Sequence, residues 1–387
     1  MIQRALCVYA MIASGVVLAL AQGVPAAPST SSAPSAAPAS SPAIAPAGRL
    51  FMVKKDGLYG FIDATGKIVI EPKFPMTNKP PCSIDSFSDG MARVMVETNK
   101  WGYIDRTGKF AIEPQFEYCD RFVDGLAPVR DRHIRKFGYI DRTGRMVISA
   151  QFDAAWPFSE GLAMYQVARE GGERQNKFGF IDHKGNIVIK PFPADDVGYY
   201  FHEGMLRFRM GEHHGYIDKT GKVVIEPTLK VALDFSEGVA VAGKEYTKLG
   251  FIDKAGNWVV EPKFRALTNL SEGLAGYAEG AYKWGFVDKK GDVAIKAKWT
   301  GVGTFKEGLA SVRIDPPENV FKEGPGMISM EIKSPPKFGF IDPTGKMVIP
   351  AQYDSVEAFD GGLSRVQVDK KFGYIDRKGN MVWAPSE

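Results

Sequence analysis

A short phrase recurs nine times along the chain, and this repetition constrains the fold more than any other feature. The copy from Lys100 to Phe116 reads KWGYIDRTGKFAIEPQF. A central glycine marks each copy, at Gly60, Gly102, Gly138, Gly179, Gly215, Gly250, Gly285, Gly339 and Gly373. The spacings are 42, 36, 41, 36, 35, 35, 54 and 34 residues. Periods of this size are typical of stacked or circular repeat architectures, in which one unit cannot bury its own apolar faces.

An aspartate follows each central glycine after an aromatic residue and an Ile or Val, and a second glycine comes three residues later. The nine aspartates are Asp63, Asp105, Asp141, Asp182, Asp218, Asp253, Asp288, Asp342 and Asp376. A carboxylate that accepts backbone amides, followed by a left-handed glycine, is typical of a tight turn. Apolar runs on both sides indicate a β-hairpin. A catalytic acid occurs once and interrupts a repeat, so we predict that these aspartates are structural turn residues.

A third apolar run precedes each hairpin, in a Phe-x-(Asp/Glu)-Gly-Leu-Ala-x-Val pattern such as Phe122 to Val129. Each unit is therefore predicted to be a three-stranded antiparallel meander. A Glu-Pro-x-Phe segment such as Glu113 to Phe116 follows, and its proline predicts that the chain leaves the sheet there. We interpret the acidic residues before the glycine as surface turn residues: Asp89, Asp124, Glu160, Glu203, Glu237, Glu272, Glu307 and Asp360.

The strands carry apolar residues on both faces, as in Ile68 to Ile70, which predicts that neighbouring units cover each unit on two sides. An open stack needs polar caps at its ends, and none is visible near Leu50 or Trp383. Against a ring, nine units are many and the last copy is complete. We therefore predict an open, twisted repeat array, with a closed propeller-like ring as the alternative.

The phrase resembles the WG-repeat family of bacterial proteins, named for the Trp-Gly pair that stands here at Trp101-Gly102 and Trp284-Gly285. Other copies have Phe, Tyr, Leu or His before the glycine. The resemblance covers residues 50 to 385 and implies an all-β protein of nine tandem units. It implies no catalytic residues, because the family has none in common that could be carried over.

The first residues have the pattern of an export signal. Arg4 precedes an uncharged apolar run that ends at the small-x-small triplet Ala19 to Ala21, which predicts a signal peptide over residues 1–21. The alternative is an uncleaved membrane anchor. Residues 22–48 are uncharged and contain 21 Ala, Pro or Ser, which predicts a disordered linker before a repeat domain at 49–387. We expect a periplasmic or secreted protein with no stable membrane span after cleavage.

Charge and cysteine content narrow the function classes further. The formal net charge of +4 does not indicate a nucleic-acid-binding protein. Two cysteines remain in the mature chain, Cys82 and Cys119, at equivalent places in neighbouring units. An oxidising compartment would preserve a bond between them, so we predict a Cys82–Cys119 disulfide, with two separate thiols as the alternative.

The sequence contains no recognisable catalytic or cofactor motif. Its glycines are explained by turns, and no Gly-x-Ser-x-Gly elbow or Cys-x-x-Cys occurs. His213 and His214 interrupt the repeat, but adjacent strand residues point to opposite faces and do not naturally share a metal ion, even with His202 nearby. We therefore expect ordinary packing or exposure for these histidines, no metal, no cofactor and no enzymatic activity.

Two copies carry long insertions at the same place in the unit, residues 165–177 and 312–337. Loops that emerge from one edge of a rigid repeat are a usual binding site, although surface loops also tolerate neutral drift. We predict an exported, non-catalytic binding or scaffolding module that holds protein partners through these loops. The alternative is a carbohydrate or cell-wall binder that uses exposed aromatic side chains.

Overall fold

The computed structural model describes residues 48–75, 86–167, 176–280, 283–316, 320–324, 327–331 and 334–386. The regular secondary structure in these ranges consists of β-strands, and no helix occurs in this part of the chain. Residues Arg49–Glu387 form one compact unit. The predicted signal peptide and nearly all of the predicted linker lie outside the described residues.

Nine small antiparallel sheets follow one another along the chain. Sheets 1 to 3 are β1 (Phe51–Lys55), β2 (Leu58–Ile62), β3 (Ile68–Pro75); β4 (Met91–Glu97), β5 (Lys100–Asp105), β6 (Phe110–Phe116); and β7 (Tyr118–Cys119), β8 (Leu126–Arg130), β9 (Phe137–Asp141), β10 (Met146–Phe152). Sheets 4 to 6 are β11 (Ala154–Ser159), β12 (Leu162–Val167), β13 (Asn176–Ile181), β14 (Ile187–Ala194); β15 (Asp196–Val197), β16 (Met205–Met210), β17 (His213–Asp218), β18 (Val223–Leu229); and β19 (Val231–Ala232), β20 (Ala240–Glu245), β21 (Lys248–Ile252), β22 (Trp258–Phe264). Sheets 7 to 9 are β23 (Leu274–Glu279), β24 (Lys283–Asp288), β25 (Val293–Trp299); β26 (Gly301–Val302), β27 (Ala310–Ile314), β30 (Lys337–Ile341), β31 (Met347–Tyr353); and β32 (Ser355–Val356), β33 (Leu363–Val368), β34 (Lys371–Asp376), β35 (Met381–Ser386).

We call the strands of a four-stranded sheet A to D in chain order. Strand A has two residues in five of these sheets and six residues in sheet 4, and in sheets 1, 2 and 7 the named strands are B, C and D alone. The predicted three-stranded meander corresponds to B, C and D. A separate hairpin of β28 (Val320–Gly324) and β29 (Met327–Glu331) lies in the connection between strands B and C of sheet 8.

The prediction that the Glu-Pro-x-Phe segment leaves the sheet is wrong. Residues 113–116 stay in strand D, and Phe116 pairs with Trp101 while Ile112 pairs with Tyr103. Between these two pairs the register advances by four residues along strand D and by two along strand C, so strand D has a bulge of two extra residues. The bulge gives Pro114 a place in the strand, because a bulged residue donates no ladder hydrogen bond.

This bulge explains the central glycine of the repeat. A Cβ atom on Gly102 would lie 2.6 Å from the carbonyl oxygen of Ile112 and 2.7 Å from the nitrogen of Pro114. Six other copies place strand D backbone equally close to the glycine: Gly60, Gly138, Gly215, Gly250, Gly285 and Gly339. The residue is glycine because the bulged backbone crosses directly over it.

Burial follows position in the sheet. Strand C is covered on both faces, as Tyr103 and Ile104 show with no exposed surface. Strand D is covered on one face only: Ile148 is buried, whereas Val147 beside it is 47% exposed. The expectation that both faces of the Ile-Val-Ile run are covered is therefore wrong for strand D, which lies at the edge of its sheet.

Seven of the eight contacts between successive sheets contain a repeated aromatic pair, and between sheets 6 and 7 Leu270 takes the place of the second ring, in one buried cluster with Phe251. The aromatic residue after the central glycine meets a phenylalanine that precedes strand B of the following sheet, with ring centroids 4.7 to 5.2 Å apart. The pairs are Phe61–Phe87, Tyr103–Phe122, Tyr139–Phe158, Phe180–Phe201, Tyr216–Phe235, Phe286–Phe305 and Phe340–Phe359.

The last sheet packs on the first through a related aromatic pair, in which Phe51 lies within strand B and does not precede it. Tyr374 meets Phe51 edge-on at 5.5 Å, and its hydroxyl donates to the carbonyl oxygen of Met52 at 2.8 Å. Both side chains belong to one buried cluster with Val53, Ile62 and Leu363. The nine sheets are therefore the blades of a closed β-propeller, and we call the contact between blades 9 and 1 the seam.

The all-β repeat prediction is confirmed, and of its two arrangements the structure has the closed ring. The open array is corrected for a physical reason. Apolar end blades without polar caps would leave residues such as Phe51 and Tyr374 in water, whereas closure buries them against each other.

Candidate functional site

The nine repeated aspartates lie at the turns between strands C and D. In blade 5, Asp218 Oδ1 accepts hydrogen bonds from the Thr220 amide (2.8 Å), the Thr220 hydroxyl (2.6 Å) and the Lys222 amide (3.1 Å). The other eight aspartates likewise accept amide hydrogen bonds from the residues two and four positions ahead. Each carboxylate is thus occupied by its own turn.

These hydrogen bonds favour the ionised carboxylate. The Thr220 hydroxyl lowers the pKa of Asp218, against some desolvation, and the two backbone amides lower it further. A lowered pKa gives an acid that is ionised at neutral pH and holds no proton to donate. These aspartates therefore stabilise the turn between strands C and D in each of the nine blades.

The acidic residues before strand B do more than form turns. Their carboxylates accept a hydrogen bond from a glycine amide in the next blade, at 2.7 to 3.0 Å. The pairs are Asp89–Gly125, Glu160–Gly204, Glu203–Gly238, Glu237–Gly273, Glu272–Gly308 and Glu307–Gly362. Asp124 contacts His183 in the next blade (3.4 Å), and Asp360 pairs with Arg49 across the seam. We call these eight contacts the carboxylate belt.

Backbone strain supports this assignment. Seven of the belt residues have φ between 49° and 54°, the left-handed region that Asn and Gly adopt most easily: Asp89, Asp124, Glu160, Glu203, Glu237, Glu272 and Glu307. A two-residue hairpin turn of this kind prefers Asn-Gly. Glutamate is a poor choice for the turn alone, and its long side chain explains its presence because it reaches the next blade.

We expect Glu307→Ala to lower the free energy of unfolding by about 2 kcal/mol, because Glu307 accepts from the amides of both Gly361 (2.6 Å) and Gly362 (3.0 Å). Urea unfolding measures the change. Glu97→Ala, which removes an exposed carboxylate that pairs with Lys100, should change stability by less than about 0.5 kcal/mol. Equal losses of unfolding free energy in the two variants would contradict a stabilising role of the carboxylate belt.

The histidines are spread over several blades. His183 contacts Asp124 and His202 contacts Asp234 (3.6 Å). His213 and His214 are neighbours on strand C of blade 5, and His214 Nδ1 lies 3.4 Å from the Arg207 guanidinium. In the part of the chain that the structure describes, no group of three or more His, Cys, Asp or Glu side chains is placed to hold a metal ion.

His214 is held neutral by its surroundings. Desolvation lowers its pKa to about 4, with further lowering by Arg207 and Arg209 on strand B. Asp196 acts in the opposite direction. An unfolded histidine titrates near its ordinary pKa of 6.5, so the unfolded chain binds more protons between pH 6.5 and pH 4.

Stability should therefore fall as the pH is lowered from about 6.5 to about 4, and His214→Gln should remove that part of the pH dependence. The measurement is the melting temperature of both proteins across this range. His133→Gln is the matched control, because His133 lies in the exposed B–C connection of blade 3. A His214 variant with an unchanged pH profile would contradict the prediction.

The predicted disulfide and loops lie partly outside the described residues. Cys119 is buried in strand A of blade 3, and Cys82 lies outside the described residues, so the Cys82–Cys119 bond stays a prediction. The insertions at 165–177 and 312–337 both fall in B–C connections, of blades 4 and 8. Because the blades share one topology, all B–C connections emerge from the same edge of the ring, which we call the B–C edge.

An aromatic group joins three blades near their A strands. The Trp156 ring lies 5.8 Å from that of Tyr199, and the Arg121 guanidinium lies 5.3 Å above the ring of Tyr200. Tyr199 is 56% exposed. The sequence analysis missed this group, although the doubled tyrosine in blade 5 is an insertion that the other blades lack.

A cavity of about 240 Å³ lies at the seam. Its lining combines three cations with aromatic and apolar side chains: Met52, Val53, Lys54, Tyr59, Arg365, Lys370, Phe372, Tyr374 and Trp383. The Arg365 guanidinium stacks on the Phe372 ring at 3.9 Å and contacts Glu357 at 3.3 Å. Burial raises the pKa of Tyr374 to about 12, so its hydroxyl stays protonated and donates to Met52. We call this the seam cavity.

The described residues contain no helix long and apolar enough to cross a membrane. A family model for the WG containing repeat matches the sequence over residues 59–100, 101–132, 137–168, 178–212, 215–246, 250–280, 284–315 and 338–372. These eight segments cover well over half of the chain. No curated protein matches the sequence.

Similar solved structures are distant. BamB from Moraxella catarrhalis is 12% identical over 68% of this chain and 88% of its own, with a TM-score of 0.40. A eukaryotic initiation factor is 10% identical over 80% of this chain and 96% of its own, with a TM-score of 0.42. The WD40 β-propeller domain of Doa1 is 10% identical over 59% of this chain and 88% of its own, with a TM-score of 0.29. No conclusion about function follows from likenesses this weak.

Proposed function

The chain belongs to the WG containing repeat family, and on that premise we propose that it is an exported, non-catalytic module that binds or scaffolds protein partners. The observation that carries the proposal is the arrangement of the B–C edge. The chain is a ring of nine blades with one topology, and the two long insertions in its B–C connections emerge from that one edge. Variable loops on a rigid scaffold are a common way to build a protein-binding surface.

Details of the B–C edge support binding to protein. The insertion in blade 8 adds the hairpin β28–β29 to the connection. The B–C connection of blade 3 presents Ile134, which is 58% exposed, on a turn fixed by two amide hydrogen bonds to Asp131. An apolar side chain held in water on a rigid turn is suited to burial against a partner.

The absence of catalysis is part of the proposal. The repeated carboxylates are engaged in turns or in the belt, and a group repeated in every blade supplies no unique reacting centre. Four buried tyrosines donate to backbone carbonyls of the next blade: Tyr103, Tyr139, Tyr216 and Tyr374. Burial is the main cause of the raised pKa of these tyrosines, so the shifts need no reacting centre to explain them.

Chemical crosslinking of the full chain in cells that make it tests the binding function. Crosslinks to other proteins are expected from lysines in the two insertions, Lys177, Lys322 and Lys333. Lys219 and Lys254 are the matched controls, because they lie at C–D turns on the opposite edge. Partner crosslinks that come equally from both edges would contradict the proposed surface.

Export is tested separately. N-terminal sequencing of the mature protein recovered from outside the cytoplasmic membrane should begin at Gln22. A chain that retains Met1 to Ala21 in the membrane would instead support the anchor, and one recovered only from the cytoplasm would contradict export.

Binding to a carbohydrate is the second candidate function, and the aromatic group at Trp156, Tyr199 and Tyr200 favours it. The tilted rings of Trp156 and Tyr199, the second 56% exposed, lie near the Arg121 guanidinium and could stack on a sugar with an acidic substituent. Retention of the full chain on purified peptidoglycan, lost in Tyr199→Ala and kept in Tyr246→Ala, would favour this function over the first. Tyr246 is the control because it is exposed in a different blade.

A further inference from the structure

We propose that the B–C connection of blade 3 docks on an acidic segment of a partner protein. The carboxylates of that segment meet Arg132 and Arg135, and an apolar side chain of the segment covers Ile134. We call residues 131–136, which lie between β8 and β9, the basic turn. This inference rests on the binding function proposed above and adds the chemistry of the partner and the part of the B–C edge that recognises it.

The basic turn carries the highest positive charge of the nine B–C connections. Counted from the last residue of strand B to the first of strand C, it holds four Arg or Lys and one Asp, a formal charge of +3. The same count lies between −1 and +1 in each of the other eight blades. The charge is therefore a local property of this connection and is not part of the repeat.

Two of the four cations are neutralised by acids of the neighbouring D–A connections. Arg130 lies 3.5 Å from the Glu117 carboxylate, and Lys136 pairs with Asp153. Among the described residues, the side chains of the other two arginines form no ion pair, and both of these arginines are exposed. Two positive charges at the tip of the turn are thus available to a partner.

The acid of the turn is used by the turn itself. Asp131 Oδ1 accepts hydrogen bonds from the amides of Ile134 (3.1 Å) and His133 (2.8 Å), which lower the pKa of Asp131 and keep it ionised. The Asp131 amide donates to the Lys136 carbonyl oxygen, and the Arg135 amide donates to that of Asp131, both at 2.9 Å. Four hydrogen bonds therefore fix the backbone of the tip.

Arg135 has a backbone conformation that is unfavourable for an arginine. Its φ of 56° lies in the left-handed region, which glycine adopts more easily. Glycine has a positive φ in the B–C turns of blades 1, 5 and 7, at Gly57, Gly211 and Gly280. A glycine would close the turn of blade 3 at less cost, so the arginine side chain accounts for the residue, as the long side chain does for the belt glutamates.

The chemistry of the basic turn fits an acidic protein segment better than a lipid surface. An arginine guanidinium forms paired, charge-assisted hydrogen bonds with a carboxylate. Ile134, which is 58% exposed, lies between the two arginines in the turn and is buried if an apolar side chain accompanies the acids. Adsorption to anionic lipid is typical of clusters of about four to eight Lys or Arg, more than the two that are available here.

The test is fluorescence anisotropy of the full chain with a labelled peptide of about eight alternating Glu and Leu residues. We expect this peptide to bind at least about tenfold more tightly than one with Gln in place of Glu, which lacks the charge-assisted contacts. Arg132→Gln combined with Arg135→Gln should weaken binding of the Glu peptide at least about tenfold, and more so at low salt. Ile134→Ser should weaken it about fivefold.

Lys109→Gln combined with Arg145→Gln is the matched control. It removes the same charge from exposed side chains at C–D turns, on the opposite edge of the ring. The affinity for the Glu peptide should then change by less than about twofold. Ile134→Ser, which leaves every charge in place, is the second variant in case the double arginine variant does not fold.

Equal affinity for the two peptides would overturn the proposal, and so would Glu-peptide binding that neither the double arginine variant nor Ile134→Ser weakens. Vesicles of phosphatidylglycerol that bind the chain through the basic turn, when the Glu peptide does not bind, would assign the turn to a lipid surface instead. Failure of the peptide with intact partner crosslinks at the B–C edge would remove this inference alone, whereas loss of both would remove the proposed function as well.

Discussion

Gly102→Ala is expected to lower the free energy of unfolding by about 3 kcal/mol, the larger effect of an overpacked site. The new Cβ would lie 2.6 Å from the Ile112 carbonyl oxygen and 2.7 Å from the Pro114 nitrogen. Both are backbone atoms of strand D, so relief requires the bulge to move. That movement would also displace Ile112, which is buried between blades 2 and 3.

Urea unfolding of the full chain measures the loss, and Gly301→Ala is the matched control. Gly301 also lies in a strand and has no positive φ, but the nearest atom to its Cβ would be Arg313 Cβ at 3.4 Å, which is ordinary contact. We expect the control to change stability by less than about 0.5 kcal/mol. Similar losses in the two variants would show that the bulge adapts and that close approach does not explain the glycine.

The hairpins could be predicted from the sequence because their causes are local. The Asp218 carboxylate accepts hydrogen bonds from the amides two and four positions ahead, so five consecutive residues determine the turn. The bulge at Pro114 could not be predicted in the same way. Proline argues for leaving a sheet, and only the register between strands C and D shows that two extra residues accommodate it.

Closure of the ring could not be predicted from the sequence in this way because its cause is not local. Phe51 and Tyr374 are 323 positions apart, and nothing near either residue in the sequence specifies that they meet. The repeat itself contains the clue, because Tyr374 has the position of Tyr103 and Tyr216, which each pack on a following blade. What the sequence does not show is the rotation between successive blades, which decides whether nine of them close.

The belt and the seam cavity were missed for a related reason. Glu203 looks like a turn residue because it precedes a glycine, and only its unfavourable φ of 54° and its contact with Gly238 reveal the second role. Arg93, Arg207 and Arg365 each lie three positions after the glycine that precedes strand B. That each stands opposite a tyrosine of strand C is shown by the strand register and not by the sequence.

Tyr374→Ala is expected to open the seam, with a loss of about 3 kcal/mol from the deleted ring. The substitution removes the contact with Phe51 and the hydrogen bond to Met52, and it enlarges the seam cavity. Blades 9 and 1 are the two neighbours that no connecting segment joins. Once their contact weakens, no short connecting segment keeps these two blades at the high effective concentration that other neighbouring blades retain.

Hydrogen exchange of the full chain distinguishes opening from simple destabilisation. We expect faster exchange throughout β1–β3 and β32–β35, with smaller changes in blades 4 to 6. Tyr216→Ala is the matched control, since it removes the same ring and the hydrogen bond to Leu233. This contact lies between blades 5 and 6, which are covalently connected because β19 begins two residues after β18 ends. It should lower the melting temperature while the exchange of the terminal blades changes little. If both variants accelerate exchange equally around the ring, the seam is no weaker than a covalently linked contact, and the ring unfolds as one unit whichever contact is lost.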